Sequence, residues 1–542
     1  MKIRQSAFLF VLASTLILPS CGSKQGSSQQ KSSEYDPDAT GYAYIGEEEV
    51  PINFDITVST DLDELKEIHT EQQKAYLSYD GNYDTIPEDL YPDGSKHISE
   101  PLPISLEWDE LDDVESYSIY YGKEVDLKDG YEVKGTNEAK LDVYNSYLGI
   151  NYFRVVAHYS DGSIECSPRY SYEVDSTYPR NLKIDGMTNC RDMGGRSLED
   201  GGHIKQGLIF RTSATNGWGN GRAVVPDNIT NDGKEELFNH LGCITEINVN
   251  NGGSNSAGTK NFVAANMWYD GGKHHLYRNA EPLKKVFQTL SNEDNYPLFY
   301  HCRIGTDRTG LVAIMINGLL GVDENEIYQD YLFSNFGNIQ EKRYIGDKAG
   351  RDNIMNYIND LKAFPGEKLQ NKIYNFLLSI GVSAEELDNV IAILTEGQTA
   401  EGNDNGQVSV LADAFTNNGA TKQTSANQAN PAVYYTLGNG KSISATFDGF
   451  QDGEAYLVAY LGKNQNNSTK INACISADFN GDAVAISDDL TFISQGFGTG
   501  DGRTYYSPVV LGTVDVIEGE NEAIITGIAN DLNIGALTLI YA

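Results

Sequence analysis

The chain has 542 residues and a formal net charge of −37, which makes it too long for one ordinary domain and a poor partner for nucleic acid backbones or anionic membrane surfaces. Hydrophobic residues make up 40% of it, enough for real cores, and past the N-terminus no stretch is long and apolar enough to span a bilayer. Any site for an anionic substrate must therefore be locally positive.

Residues 1–20 read as a targeting segment: Lys2 and Arg4 give a positive start, and Ala7 to Leu18 form an apolar run too short for a stable membrane helix. Leu18-Pro19-Ser20-Cys21 resembles a bacterial lipobox. The resemblance implies that residues 1–20 are a lipoprotein signal peptide, that Cys21 carries the lipid, and that the chain is extracytoplasmic, meeting the bacterial membrane or cell surface through that anchor alone. Residues 21–42 are polar and Ser/Gln-rich at their start, as a flexible tether would be. Residues 43–100 have no clear pattern beyond a short helical period near Leu62 to Leu77. Past Cys21 the cysteines are Cys166, Cys190, Cys243, Cys302 and Cys474, an odd, scattered set that reads neither as a disulfide framework nor as a zinc site.

Residues 101–176 alternate as short strands: Ile104 to Trp108, Tyr117 to Tyr121, Tyr152 to Ala157, with Asp129-Gly130 and Asp161-Gly162 as turns. Such spacing predicts a β-sandwich. The segment is similar to a fibronectin type III domain in its early Trp108, in Leu148 four residues before Tyr152 (the spacing of a tyrosine corner) and in the closing Ser167-Pro168.

Residues 178–397 change to alternating strands and helices. Lys234 to Leu241 and Pro282 to Leu290 read as helices, Cys243 to Val249 and Leu298 to Tyr300 as strands. Thr309 to Leu320 is apolar on nearly every side, as a buried helix is. Glu324 to Phe333 and Ala384 to Leu394 are amphipathic. The alternation predicts an α/β domain with a mainly parallel sheet and flanking helices.

Inside this region runs His301-Cys302-Arg303-Ile304-Gly305-Thr306-Asp307-Arg308-Thr309-Gly310. A strand ending at His301 and a helix starting near Thr309 would leave a tight turn whose N–H groups face inward, a nest for phosphate oxygens formed by Arg303, Ile304, Gly305, Thr306, Asp307 and Arg308. The helix N-terminus adds positive partial charge, and Gly305 lets the turn tighten. Arg308 can clamp two phosphate oxygens with its planar fork. Cys302 at the floor of this bowl would be a thiolate able to attack phosphorus and form a phosphocysteine. Thr309 can donate to the sulfur and ease its departure, and His301 orients the loop from behind. No cofactor or metal is called for.

His followed by Cys-x5-Arg-Thr is the signature of the protein tyrosine phosphatase superfamily, and this loop resembles it. The fuller Cys-x-x-Gly-x-Asp-Arg-Thr-Gly resembles the branch containing bacterial secreted tyrosine/lipid phosphatases. Asn189-Cys190-Arg191-Asp192-Met193-Gly194-Gly195, Gly207 to Ser213 and Asp330 to Asn335 resemble further blocks of that branch. The resemblance implies a cysteine-dependent phosphoric monoester hydrolase acting on a phosphotyrosine protein, a phosphoinositide or an inositol phosphate. One departure stands out: where the family shows Asp-Leu-Arg, this chain has Asn248-Val249-Asn250, so an ion pair that orients substrate or braces the loop is missing. The resemblance favours Asp307 as general acid. Asp270, beside Trp268 and upstream of the nucleophile as in dual-specificity phosphatases, is the alternative.

Residues 398–407 are a linker, and 408–542 return to β patterning, with strands at Ser442 to Phe447, Ala455 to Tyr460, Ala523 to Ile528 and Leu537 to Tyr541. The segment resembles the jelly-roll sandwich of carbohydrate-binding modules through Glu518-Gly519-Glu520-Asn521 before a strand and a strand that ends the chain, which makes a glycan a possible partner. Asp478, Asn480, Asp482 and Asp489 have calcium-loop spacing, but Ala483 stands where glycine is needed for the sharp turn, so a polar turn between strands is the better reading. The rival to an enzyme is a non-catalytic surface binding or adhesion protein.

Overall fold

The computed structural model describes residues 38–541 apart from 39, 136, 217–228, 251–256, 268–278, 346–353, 397–406, 425–432, 450, 464–467, 489, 494–505 and 530–531. The expectations for Cys21, Asp270 and Asp489 therefore lie outside the described residues. The chain is multidomain, with α/β and β-sandwich-like content.

The first unit opens with a hairpin of β1 (Tyr42–Ile45) and β2 (Glu48–Pro51), followed by α1 (Glu71–Leu77). The strands β3 (Ile104–Glu107), β4 (Val114–Gly122), β5 (Tyr131–Lys134), β6 (Lys140–Val143), β7 (Gly149–Tyr159), β8 (Ile164–Cys166) and β9 (Tyr170–Val174) come next. β3 pairs with β6, and β5-β4-β7-β8 form a second sheet in which β9 also pairs with β7. Trp108, Ile119, Phe153 and Tyr172 fill the space between them. The helical period expected over Leu62 to Leu77 is realised only in α1, where Thr70 and Gln73 form a capping box. Before it, the chain is non-helical, bending at Leu62 to Glu64 and bridging Trp108 through Val58 and Val174 through Lys66. These strand edges capture the segment, and its local helical preference loses to them. The corner before β7 is also closed differently from expectation. Asn151, not Tyr152, makes it, accepting from the Tyr147 N–H at 2.9 Å and donating to the Tyr147 carbonyl at 2.7 Å and the Gly149 carbonyl at 3.0 Å. A carboxamide carries donor and acceptor on one short stem, so it closes a turn that a phenol would have to reach across.

The α/β unit comprises β10 (Arg191–Asp192), β11 (His203–Ile204), β12 (Ile209–Thr212), α2 (Asn231–Glu235), β13 (Thr245–Asn248), β14 (Asn261–Ala264), α3 (Ala280–Leu290), β15 (Leu298–His301), α4 (Asp307–Leu319), α5 (Glu324–Phe333), α6 (Ile354–Lys362), α7 (Leu369–Ser379), α8 (Ala384–Leu394) and β16 (Thr395–Glu396). Its sheet order is β10-β12-β15-β13-β14. β12, β15, β13 and β14 run parallel, with Thr212, His301, Asn248 and Ala264 in register. Four strand ends thus share one edge, the edge where α/β sheets place their sites. One face of the sheet packs Ile209, Ile247 and Leu298 against the helices; the other packs Phe210 and Phe299 against Leu237 and Leu241. α4 is buried along almost its whole surface, which is why it is apolar all round.

The C-terminal unit has a sheet containing Val433–Thr436, Gly453–Gly462, Tyr506–Val516 and Asn533–Tyr541, and a second containing Ser442–Gly449, Ile475–Phe479 and Gly519–Gly527. Its own core is separate, but Val458 and Ile540 on an outer face join the α/β core. Ser409 Oγ donates to the Ser379 carbonyl of α7 at 2.6 Å.

Candidate active site

β15 ends at His301, and the chain turns through Cys302 to Thr306 before α4 begins at Asp307. The turn is shaped from outside by donors aimed at its carbonyls. The Ala214 N–H reaches the Arg303 carbonyl at 3.1 Å. Asn189 Nδ2 reaches the carbonyls of Ile304 at 3.3 Å and Gly305 at 3.0 Å and the Thr306 hydroxyl at 3.2 Å. Arg211 donates to the Gly305 carbonyl at 2.9 Å. In a trans peptide the C=O and the following N–H point opposite ways. With these carbonyls drawn outward, the amides of Ile304, Gly305 and Thr306 turn inward, which makes an anion-binding nest. Gly305 has φ +70°, and a Cβ there would lie 2.6 Å from the Thr212 carbonyl oxygen, so the close approach of loop and strand requires glycine.

The outer donors are themselves held by a buried carboxylate. Asp330 of α5 accepts from Arg191 Nε at 2.9 Å, from Tyr178 Oη at 2.8 Å and from Arg211 Nη1. Arg191 also donates to Asn189 Oδ1 at 2.6 Å. Burial disfavours the charged carboxylate of Asp330, but the guanidinium groups of Arg191, Arg211 and Arg196 outweigh it and hold the group far below the usual carboxylate range. The blocks Asn189 to Gly195, Gly207 to Ser213 and Asp330 to Asn335 thus meet behind one loop.

Cys302 is only 2% exposed. Burial raises its pKa, yet the charge of Arg308 and the hydroxyl and backbone N–H of Thr309 bring it below the ordinary thiol value. The Thr309 hydroxyl lies close enough to stabilise the sulfur anion but has no well-formed hydrogen bond in this resting geometry. His301 Nδ1 sits 2.9 Å from the Cys302 carbonyl, and Nε2 sits 3.0 Å from the Glu246 carboxylate. Thr259 donates to the other oxygen of Glu246 at 3.2 Å. Arg303 and Arg308 are half-buried on the loop, and Ile304, Gly305 and Thr306 are buried. Asp307 starts α4 with both carboxylate oxygens engaged by Arg343, Nε to Oδ1 at 2.9 Å and Nη2 to Oδ2 at 3.1 Å.

Sequence reasoning missed Glu246 and Arg343. Glu246 lies on a buried strand, where only its contact with His301 gives it a role, and Arg343 stands in an irregular segment far along the chain. At Asn248, the departure from the family pattern, the side-chain carbonyl accepts from the Asn250 N–H at 2.8 Å; the loop is braced instead through Asn189, Arg211 and Asp330. Of the calcium-spaced residues, Asp478, Asn480 and Asp482 lie in and beside a turn between two strands, and Asp489 lies outside the described residues. Asn480 has φ +53° in a tight hairpin, its Nδ2 donates to Asn521 Oδ1 at 2.9 Å and its Oδ1 accepts from the Glu522 N–H at 2.9 Å. Among the described residues no group of His, Cys, Asp and Glu is arranged to hold a metal.

Residues 182–223 and 246–396 match the model of a family described as the tyrosine phosphatase family. A tyrosine-protein phosphatase of Nostoc commune is 34% identical over 59 residues, covering 11% of this chain and 20% of that protein; the chain thus spans a fifth of that relative's length. Among solved structures, a Podospora anserina GH26-CBM35 β-(1,4)-mannanase matches at 16% identity over 26% of this chain and 28% of that one, TM-score 0.20. A family 35 carbohydrate-binding module from Clostridium thermocellum matches at 18% identity over 25% of this chain and 98% of that one, TM-score 0.20. The matched family segments contain β12, β15 and the whole loop from Cys302 to Gly310, and over them this chain is similar to the tyrosine phosphatase family.

Proposed function

We propose that the chain is a cysteine-dependent phosphatase that hydrolyses phosphate monoesters. The observation that carries this reading is a buried thiol whose pKa, raised by burial, is brought below the ordinary value by Arg308 and Thr309, at the floor of a turn whose Arg303, Ile304 and Gly305 carbonyls are drawn outward. The Cys302 thiolate attacks phosphorus, the P–O bond to the leaving group breaks, and that oxygen takes a proton from the acid. Asp307 is the acid in this reading, and Asp270 is the alternative. Water then attacks the phosphocysteine, the P–S bond breaks, and the carboxylate takes the proton from water. Inward amides and the Arg308 guanidinium stabilise the equatorial oxygens in both transition states.

The substrate is a phosphotyrosine protein, a phosphoinositide or an inositol phosphate, and Arg303 supplies an additional positive charge at the loop. The lipobox-like Cys21 supports display on the bacterial surface, with the β units as flanking modules. Wild-type protein should hydrolyse p-nitrophenyl phosphate, and Cys302→Ser should reduce kcat to background. Equal rates for the two would refute the mechanism. Absence of hydrolysis by the wild type would favour the binding or adhesion reading. Comparing phosphotyrosine peptides, phosphoinositide vesicles and inositol hexakisphosphate then selects the substrate class.

A further inference from the structure

We propose that Glu246 is a positioning residue: its carboxylate fixes the His301 ring so that the imidazole holds the Cys302 carbonyl outward and turns the Arg303 N–H into the anion nest. This inference rests on the phosphatase reading of the loop and adds to it a side chain from a neighbouring strand.

Glu246 stands where packing alone would not put a carboxylate. Across four parallel strands the register runs Phe210, Phe299, Glu246 and Phe262, so three phenylalanines and one acid share a row on one face of the sheet. Phe210, Phe299 and Glu246 are fully buried. A buried carboxylate costs stability unless partners hold it, and an apolar residue in the row would avoid that cost. The partners here are specific. One carboxylate oxygen lies 3.0 Å from His301 Nε2, and the other accepts from Thr259 Oγ1 at 3.2 Å.

His301 follows Phe299 by two residues, so its side chain lies on the same face of the strand. The Phe299 ring is 5.9 Å from the imidazole and 18° from parallel to it. Phe299 therefore supports the ring on its flat side, and Glu246 stops it at its tip. With the ring so held, Nδ1 sits 2.9 Å from the Cys302 carbonyl oxygen. A carbonyl only accepts, so Nδ1 carries the hydrogen between them.

In a trans peptide the N–H that follows a carbonyl points the opposite way, so the Arg303 amide is directed to the inside of the turn. The Cys302 carbonyl is the first of four consecutive carbonyls held from outside, followed by those of Arg303, Ile304 and Gly305. Ala214, Asn189 and Arg211 hold the last three. Glu246 governs the first through His301, and without it the nest loses the fixed direction of one amide.

The test uses the full chain and inorganic phosphate as the probe. Calorimetry measures phosphate affinity in the Cys302→Ser protein with Glu246 intact, with Glu246→Leu and with Glu246→Gln. The same series with Cys302 present is followed by kcat/KM for p-nitrophenyl phosphate. Loss of one hydrogen bond to a charged group should weaken phosphate binding about tenfold or more in Glu246→Leu. Glu246→Gln should recover most of that loss, because a carboxamide can bond both Nε2 and the Thr259 hydroxyl, whereas a role in packing alone gives glutamine no advantage over leucine. Unchanged affinity in Glu246→Leu, or equal losses in the two variants, would overturn the proposal. If Glu246→Leu does not fold, Thr259→Val decides: it leaves the carboxylate in place, removes its second hydrogen bond and should weaken phosphate about threefold, and unchanged affinity there overturns the proposal as well. A wild type that binds phosphate without hydrolysing p-nitrophenyl phosphate would sink the phosphatase reading, while the binding series would still decide the role of Glu246.

Discussion

Cys302 shares its burial with Cys166 and Cys190 but not their fate. Burial is the largest influence that pushes the Cys190 thiol up to about 12 and Cys166 up to about 11, whereas Arg308 and Thr309 outweigh it at Cys302. A nearby guanidinium is not enough, since Arg154 near Cys166 and Arg191 near Cys190 leave those thiols raised; at Cys302 the Thr309 hydroxyl and N–H at the helix N-terminus act together with Arg308. Asp330 works by the same balance in the opposite role. Removing its charge by Asp330→Asn would leave Arg191 and Arg211 buried with no carboxylate between them, so a loss of about 3–5 kcal/mol is expected in urea unfolding. The stabilisation should be complete above pH 3.8, the ordinary carboxylate value, and should fall away as pH drops from there toward the much lower folded value. Wild type and Asp330→Asn should therefore converge in stability in acid.

At the scale of elements, two sandwiches close a strand entry with the same device. Asn151 holds the Tyr147 to Gly149 corner, and Asn521 holds Ile517 and Gly519 through bonds of 3.0, 2.8 and 2.8 Å. Gly149 and Gly519 both take positive φ, 85° and 93°, which the corner requires. Asn151→Ala and Asn521→Ala should each cost about 1–3 kcal/mol, because backbone groups lose their partner in a folded turn; separate thermal unfolding of each variant measures it. The Glu518-Gly519-Glu520-Asn521 signature was legible as a strand entry, but its closing hydrogen bonds are visible only in three dimensions. The helices Glu324–Phe333 and Ala384–Leu394 are also legible: Asp323 caps the first at Asn325, and Ser383 and Glu386 form a capping box on the second. α6 and α7 carry weaker start signals and were not foreseen. Lys368 precedes α7 without a clean cap residue, and the helix is specified by what it packs against, including the C-terminal sheet.

At the scale of the whole molecule, the poorly patterned residues before the first sandwich become part of the α/β core. Tyr76 is fully buried and packs against Tyr83, Tyr91, Phe333 and Phe336, its hydroxyl donating to the Gln329 carbonyl at 2.7 Å. Tyr76→Ala should therefore destabilise the α/β unit by about 3–5 kcal/mol through the cavity it leaves, read as a lowered midpoint in chemical unfolding followed at the α/β unit. An unchanged midpoint would mean that the N-terminal segment docks without adding stability. The first sandwich is tied in as well. Arg180 pairs with Asp192 at 2.8 Å and donates to the carbonyls of Asn145 at 2.6 Å and Ser146 at 3.1 Å.

The loop from His301 to Gly310 could be read from sequence because its chemistry is local: nucleophile, nest, glycine and clamp lie within one strand–turn–helix, while the donors that draw its carbonyls outward come from Asn189, Arg211 and Ala214, far away in the chain. The parallel sheet and the buried α4 were legible for a related reason, since hydrophobic periodicity records which faces meet a core. Glu246 behind His301, Arg343 on Asp307 and the tyrosines before the first sandwich were decided only by the tertiary structure. Each acts on a partner distant in sequence, and neither periodicity nor spacing records where such a side chain ends up. Long-range packing also chose Asn151 over Tyr152 at the corner and a bent, strand-bridged chain over helix between Leu62 and Thr70, because strand edges and a carboxamide satisfied backbone groups better than local propensity could.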